Sequence, residues 1–205
     1  MEVSKQYSIL TELNYFAPVS WYQLTKSATN LKVDIYEHYQ KGSWRNRCYI
    51  AGPNRVQLLT VPLERGKNER RAFKDVRISK DHPWQKEHWR SLCSCYRRSA
   101  YFEYFEDDLA PIFEKRYDFL LDWNLELLHF TFKPLQWEPK IEFTNEYVIP
   151  GDKENDIRTA SVKSDLHEIA GKNIQPYNQV FSDRFPFQRN LSIIDMIFNL
   201  GKVQL

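Results

Sequence analysis

The sequence predicts an α/β protein, in the α+β sense, with a mainly antiparallel N-terminal sheet that packs against a helical second half. Two observations predict this class. Short strand-like runs separated by turns continue up to Ser79, and longer stretches with helical spacing of apolar residues follow. The chain has 205 residues, of which 42% are hydrophobic and 27% charged. Because one domain commonly holds roughly 100–200 residues, we expect a single domain over residues 1–205.

The predicted strands lie mostly in the first half. The run LKVDIYEHY alternates in character, so Val33, Ile35 and Glu37 fall on one face of a strand. Other strands are predicted for residues 7–13 and for RNRCYIAG, VQLLTVPL, AFKDVRIS and KIEFTNEYVI. Short turns join antiparallel strands, whereas parallel strands need a longer crossover. We therefore expect antiparallel pairing.

Helix signals dominate the second half. Pro18 and Pro83 can each open a helix, because proline at the first turn lacks only an N–H that would be unpaired anyway. Asp107 or Asp108 is a candidate cap for one long helix through LAPIFEKRYDFLLDWNLELLHF. NLSIIDMIFNLG is predicted to form the last helix, and residues 150–173 a polar loop.

Composition excludes several classes of protein. A net charge of +2 argues against a general polyanion binder, and the basic stretch 65–77 has few interleaved aromatic residues, so we expect no nucleic-acid partner. Three cysteines without framework spacing indicate a reducing compartment. No apolar run approaches the roughly 18 residues of a membrane span, and the N-terminus lacks the apolar run of a signal peptide. We expect a cytoplasmic protein.

The densest polar cluster is EHYQKGSWRNR, residues 37–47. A guanidinium fork suits a carboxylate or a phosphate, and Arg45 and Arg47 lie two residues apart on a predicted strand. One hypothesis is an anion pocket formed by Lys41, Arg45 and Arg47, with Glu37 opposing it. The alternative is an internal salt-bridge network that closes the hairpin, since a buried carboxylate needs a partner. The sequence leaves both open.

A second candidate region is the helix that follows Pro83. His88 shares one side of that helix with Trp84, Leu92 and Cys95, a position typical of a core residue. It is nevertheless the best candidate general base, because a histidine pKa of about 6.5 allows proton transfer near neutral pH. His38, His82 and His88 lack metal-ligand spacing. No phosphate-binding or dinucleotide motif is present, so we expect neither a metal nor a cofactor.

Several stretches together resemble a known family. They are NYFAPVSWY, YQKGSWRNRCYIAGPN, LLTVPL, KDVRIS, the long run from PWQKEHWRSL to DWNLELL, and QVFSDRFPFQRNLSIIDMIFNLG. In this order, over nearly the whole chain, they resemble the WbqC-like proteins, in the form found in Bacteroidetes-type bacteria. Other branches carry a His-Gln-Pro run before the first aromatic motif. Thr11, Glu12 and Leu13 stand there in this chain, so a histidine role is not carried over.

The resemblance implies a bacterial cytoplasmic protein. Some members lie in O-antigen gene clusters, and the transfer of glycine or another small acyl group to a sugar has been suggested for them. Our first hypothesis is therefore a small acyl or aminoacyl transferase with an anionic or sugar substrate. A non-catalytic binding or scaffold protein is the alternative, and the oligomeric state stays open.

The transferase hypothesis assigns roles to ten residues. His88 and Glu37 are the candidate catalytic residues. The candidate substrate-binding residues are Lys41, Trp44, Arg45, Asn46, Arg47, Trp84, Trp89 and Tyr96.

Overall fold

The computed structural model describes residues 7–64, 71–150, 155–158 and 174–205. The predicted polar loop 150–173 lies mostly outside these ranges. The strands within them are β1 Ser8–Thr11, β2 Asn30–Val33, β3 Arg47–Gly52, β4 Arg55–Thr60 and β5 Lys140–Phe143. The helices are α1 Val19–Thr25, α2 Trp84–Tyr96, α3 Phe102–Glu114, α4 Leu120–Leu135 and α5 Ile193–Leu200, with a 3-10 helix at Phe73–Asp75.

The chain mixes helices and strands as expected, but the main sheet is parallel. Its order is β1-β2-β5, and both pairs run in the same direction. The prediction of a mainly antiparallel N-terminal sheet is therefore wrong. Parallel neighbours require a crossover connection, and α1 provides it because it lies between β1 and β2. A further parallel bridge joins Leu10 to Asp156 on β1.

The hairpin of β3 and β4 is antiparallel, as predicted. Its register places Cys48 opposite Leu59, and both side chains are buried. The strand predicted over LKVDIYEHY ends at Val33, because the Asp34 carboxylate accepts the backbone N–H groups of Tyr36 and Glu37 at 3.0 and 3.1 Å and turns the chain.

AFKDVRIS does not form the predicted strand. It contains the 3-10 helix instead, closed by the N–H of Val76 donating to the Phe73 carbonyl at 3.2 Å. The one long helix predicted after Asp108 is also wrong, since α3 ends at Glu114 and α4 begins at Leu120. The residues between α3 and α4 form hydrogen bonds with the segment after the 3-10 helix. Ile78 N donates to the Asp118 carbonyl, and Leu120 N donates to the Val76 carbonyl, both at 2.9 Å. These long-range hydrogen bonds replace helical ones.

Aromatic side chains fill the core. Trp123 is fully buried, and its ring centroid lies 5.0–5.8 Å from those of Trp84, Phe113, Tyr117 and Tyr15. Such offset and edge-on contacts add to the large area that each ring buries. This packing joins α2, α3 and α4 to the segment that follows β1, and so fixes the position of that segment.

We predict that Gly201→Ala lowers the free energy of unfolding by about 1–3 kcal/mol. Gly201 ends α5 with φ +75°, and an added Cβ would lie 2.8 Å from the Tyr101 ring. Gly42 is the control, because it has φ +82° but its nearest neighbour would be 3.6 Å away. Urea denaturation should show a larger loss for Gly201→Ala. Equal losses would mean that the ring moves aside.

Candidate functional site

Polar residues follow the strands of the parallel sheet at its carboxyl edge. Glu12 comes directly after β1, Asp34 after β2 and Thr144 after β5. Asp34 and Thr144 are joined, because the Thr144 hydroxyl donates to Asp34 Oδ1 at 3.0 Å. Open parallel sheets bind ligands outside the carboxyl ends of their strands, so this edge is the candidate site.

Arg45 lies buried between two carboxylates at this edge. Its Nε donates to Glu12 Oε2 at 2.9 Å and its Nη2 to Glu37 Oε2 at 2.5 Å, while Nη1 reaches the His38 carbonyl at 2.9 Å. The Arg45 side chain has no exposed surface. The guanidinium of Arg45 is therefore paired within the fold. This agrees with the internal salt-bridge network, one of the two alternatives that the sequence allowed for Arg45. We call Glu12, Arg45 and Glu37 the carboxylate–guanidinium trio.

The trio holds two carboxylates and one guanidinium, which makes full ionisation of both acids costly in a buried place. Burial raises the pKa of Glu12 from 4.5 to about 7; Arg45 lowers it and the Glu37 charge raises it further. Burial also raises the pKa of Glu37, against the attraction of Arg45. The two acids titrate as a coupled pair, so the raised pKa values belong to the pair.

A second buried guanidinium stands beside the trio. Arg158 binds Asp34 through Nη1 at 2.5 Å and Asp156 through Nη2 at 2.6 Å. Its charge also lowers the pKa of Glu12 and of Glu37. Arg158 thus ties β2 to the segment on the far side of β1.

Buried polar atoms without a hydrogen-bond partner gather where residues 12–15 meet residues 44–47. The Trp44 carbonyl accepts N–H groups from Tyr15 at 2.9 Å and from Arg47 at 3.4 Å, which holds the two segments together. The unpartnered atoms on or beside them are Glu12 Oε1, both amide atoms of Asn14, Arg47 Nε and Asn124 Oδ1. Buried polar atoms normally find partners, and these atoms have none within the part of the chain that the structure describes.

The predicted substrate-binding residues of the 41–47 segment differ in their surroundings. Lys41 is exposed in the turn, and Trp44 is buried with its ring 4.9 Å from that of Tyr49. Asn46 is engaged internally: its Oδ1 accepts from Tyr39 at 2.8 Å and its Nδ2 donates to the Val61 carbonyl at 2.9 Å. Arg47 is half-buried, and its buried Nε has no hydrogen-bond partner among the described residues.

His88 occupies a core position. Its Nδ1 lies 3.0 Å from the hydroxyl of Tyr15, and the rings of Tyr15 and Trp84 cover it at 5.7 and 5.2 Å. Burial, with the nearby charge of His82, lowers the pKa of His88 to about 4. A hydrogen bond with the Thr60 backbone acts in the other direction. The geometry therefore gives no support to His88 as the general base.

Neighbouring reactive groups are likewise buried. Cys48 lies within hydrogen-bonding reach of Tyr15, and burial raises the pKa of the Cys48 thiol. This keeps Cys48 in its unreactive neutral form.

The aromatic residues predicted on α2 lie away from the trio. Trp84 contacts Trp123, and Trp89 packs between Phe102 and Phe113. The Tyr96 hydroxyl donates to Asp195 at 2.8 Å on α5. The structure thus brings Glu37, Lys41, Arg45 and Arg47 together in one connection, without these aromatic residues.

Sequence reasoning missed Glu12, Asp34 and Arg158. Two of them had a signal: an acidic residue directly follows each of two apolar runs, which becomes informative once the strands are known to be parallel.

Residues 7–64, 71–150, 155–158 and 174–205 contain no group of three or more His, Cys, Asp or Glu side chains able to hold a metal ion. Within the same ranges, no helix is long and apolar enough to cross a membrane.

The fold and the site define an α/β protein with a buried charged cluster at the carboxyl edge of a parallel sheet. Residues 14–171 match the WbqC-like protein family, and the chain belongs to that family. It is similar to the uncharacterized protein Rv1507c of Mycobacterium tuberculosis (strain ATCC 25618 / H37Rv), with 25% identity over 193 residues, 82% of this chain and 83% of the relative. No solved structure matches the chain.

We predict that Arg45→Met lowers the free energy of unfolding by about 3–5 kcal/mol, because it leaves two buried carboxylates without their cation. Arg97→Met is the matched control: Arg97 pairs with Glu106 at 2.7 Å but is 60% exposed, so its loss should stay within about 1 kcal/mol. Urea denaturation compares the two. Similar losses would show that the trio is not a buried ion cluster.

We also predict that Glu12 and His88 give opposite pH dependences of stability. The raised pKa of Glu12 stabilises the fold below pH 4.5, and that contribution is lost as the pH rises to about 7. The lowered pKa of His88 stabilises it above pH 6.5, and that contribution is lost as the pH falls to about 4. Between the two pKa values of each group, the free energy of unfolding changes by up to about 1.4 kcal/mol per pH unit.

Single variants separate the two contributions. In Glu12→Gln, the free energy of unfolding should rise with pH more steeply than in the wild type. In His88→Gln it should fall as the pH increases toward 7. Urea titrations across this range measure both slopes, and unchanged slopes in both variants would contradict the assignment.

Proposed function

We propose that this chain transfers a small acyl or aminoacyl group to a sugar in bacterial surface-polysaccharide (O-antigen) biosynthesis, with the trio as its acid–base centre. One observation carries the proposal: two carboxylates share one buried guanidinium, in a place where burial raises the pKa of Glu12 to about 7 and also raises the pKa of Glu37. A carboxyl group with a raised pKa at the edge of a site is the usual device for proton transfer at neutral pH. The family resemblance supports the substrate class.

Glu37 is the member placed to meet a substrate. Its side chain retains 10% exposure, whereas that of Glu12 retains 1%. Within the described ranges, the one contact of its Oε1 is a long one, 3.5 Å, with the amide of Gln40. Glu37 therefore takes the role of general base, which the sequence had suggested for His88, while Glu12 lies behind Arg45.

The proposed reaction moves one proton and one acyl group. Glu37 accepts the proton of the sugar hydroxyl or amine as that atom bonds to the acyl carbon. The bond from the acyl carbon to its leaving group then breaks, and the proton passes from Glu37 to that group. Arg45 stabilises the Glu37 carboxylate at the start and at the end of the cycle.

Glu12 has a supporting role in this scheme. With its proton in place, the trio is neutral overall, because Arg45 then faces the single charge of Glu37. The role of base predicted for His88 passes to Glu37, because His88 is sealed beneath Tyr15 and Trp84.

The alternative is a non-catalytic binding or scaffold protein. The observation that favours it is the complete internal pairing of Arg45, together with the burial of Glu12. In that case the trio only fixes the connection between β2 and β3, and its removal changes stability without affecting any turnover.

The test is turnover by Glu37→Gln. Purified protein is incubated with acetyl-coenzyme A or glycyl-coenzyme A and UDP-N-acetylglucosamine, and products are detected by mass spectrometry. We expect wild-type turnover and a loss of about 10²-fold or more in the variant, because the amide cannot accept a proton. Glu106→Gln is the control, because Glu106 is a half-buried carboxylate paired with the exposed Arg97. Full turnover by Glu37→Gln, or none by the wild type, contradicts the proposal.

A further inference from the structure

We infer that β4 is an interface between two copies of this chain. The two β4 strands pair antiparallel about a twofold axis at Gln57, which joins two β3–β4 hairpins into one four-stranded sheet. The inference concerns the hairpin alone and does not depend on the proposed function.

The outer edge of β4 presents backbone groups to solvent. Val61 N donates to the Asn46 carbonyl at 2.8 Å, one step beyond the β3–β4 pairing. In an antiparallel ladder the N–H and C=O of one residue point to the same side, and that side alternates along the strand. The backbone groups of Val56 and Leu58 therefore point away from β3. On that side they have no hydrogen-bond partner within residues 7–64, 71–150, 155–158 and 174–205.

The outer edges of β3 and β5 differ from that of β4. The chain itself binds the β3 edge, through Arg47 N to the Trp44 carbonyl, Ser192 N to the Tyr49 carbonyl and Ala51 N to the Tyr96 hydroxyl. The β5 edge carries Pro139, Lys140 and Glu142, and proline and charge are what proteins place on an edge strand to prevent pairing. The stretch from Val56 to Thr60 has neither. Its edge is thus open to another strand.

The side chains of β4 are complementary to those of a second copy. Val56 and Leu58 are each 43% exposed, and both lie on the face opposite Gln57, whose amide donates to Ser91 on α2 at 3.2 Å. A twofold axis at Gln57 places Val56 directly opposite Leu58 of the second copy, and Leu58 opposite Val56. Each of these two pairs exchanges both of its N–H···O bonds. Apolar side chains thereby meet apolar side chains.

The hairpin extends this match across the joined sheet. Within one chain, Tyr49 lies opposite Leu58 and Ala51 lies opposite Val56. Each apolar row therefore runs from Tyr49 and Leu58 to Val56 and Ala51 of the second copy. Cross-strand apolar pairs of this kind stabilise sheets. A strand of another protein would need the same spacing of apolar side chains, which a second copy supplies by symmetry.

Two further contacts favour the register about Gln57. His88 is hydrogen bonded to the Thr60 backbone, and this register leaves that bond in place because it uses the backbone of positions 56 and 58. The same register sets Arg55 opposite Leu59, so no like charges face each other across the axis. A twofold interface closes on itself, and the expected assembly is a dimer.

Sedimentation equilibrium of the full chain tests the dimer, from about 5 to about 500 µM. We expect the average mass to rise from that of the monomer toward twice that value and no further. Leu58→Pro removes an N–H that β3 does not use, in an edge strand that tolerates proline. It should weaken association by about tenfold or more.

A matched pair of lysine variants tests the location. Leu58→Lys places a charge opposite Val56 of the second copy and should weaken association by about tenfold or more. Leu24→Lys is the control, because Leu24 is 38% exposed on α1, and its association should stay within about twofold of the wild type. Thermal melting followed by circular dichroism confirms that each variant is folded.

Disulfide cross-linking tests the register even if a lysine or proline variant unfolds. Val56→Cys and Leu58→Cys proteins are oxidised separately and as a mixture. Opposite residues of a hydrogen-bonded pair have Cα atoms about 5.5 Å apart, within disulfide range, whereas identical positions are diagonal neighbours at about 7–8 Å. We expect cross-linked dimers mainly in the mixture. A monomer at every concentration, equal effects of Leu58→Lys and Leu24→Lys, or cross-links that form as well in the separate proteins overturn the inference.

Discussion

The site depends on one guanidinium shared by two carboxylates. Arg45 joins Glu12, which follows β1, to Glu37, which lies in the connection from β2 to β3. The shape of that connection follows from this shared cation, since it turns at Asp34 and returns past Lys41 to Arg47. Buried ion clusters contribute little net stability but penalise the loss of any member, so the arrangement acts mainly to fix one conformation.

The same sharing shifts the titration of both acids. A single cation cannot balance two buried anions, so burial raises the pKa of Glu12 and of Glu37, and the two titrate as a coupled pair. Arg45 thereby holds the connection between β2 and β3 to the end of β1, and it also lowers the pKa of both acids against the effect of burial.

Much of this arrangement follows from the sequence, and part of it does not. Turn residues predicted the hairpin, and proline positions predicted the helices after Pro18 and Pro83. The spacing of charges left two alternatives for Arg45, an anion pocket or an internal salt-bridge network. The break between α3 and α4 could not, because it depends on hydrogen bonds to Val76 and Ile78, which are distant in sequence. Glu12 could not be predicted as a site residue for a related reason. It lies at the same edge of the sheet as Asp34 only because β1 and β2 are parallel.

The bridge between Leu10 and Asp156 has a consequence for the edge of the parallel sheet. The chain leaves β1 toward β2 and β5 on one side, and residues 155–158 lie on the other, with Leu10 N donating to the Asn155 carbonyl at 2.8 Å and Ile157 N donating to the Leu10 carbonyl at 3.0 Å. An uncovered edge strand offers its backbone groups to a strand of another molecule. Because the backbone groups of Leu10 are already paired on this side, this part of β1 is closed to such association.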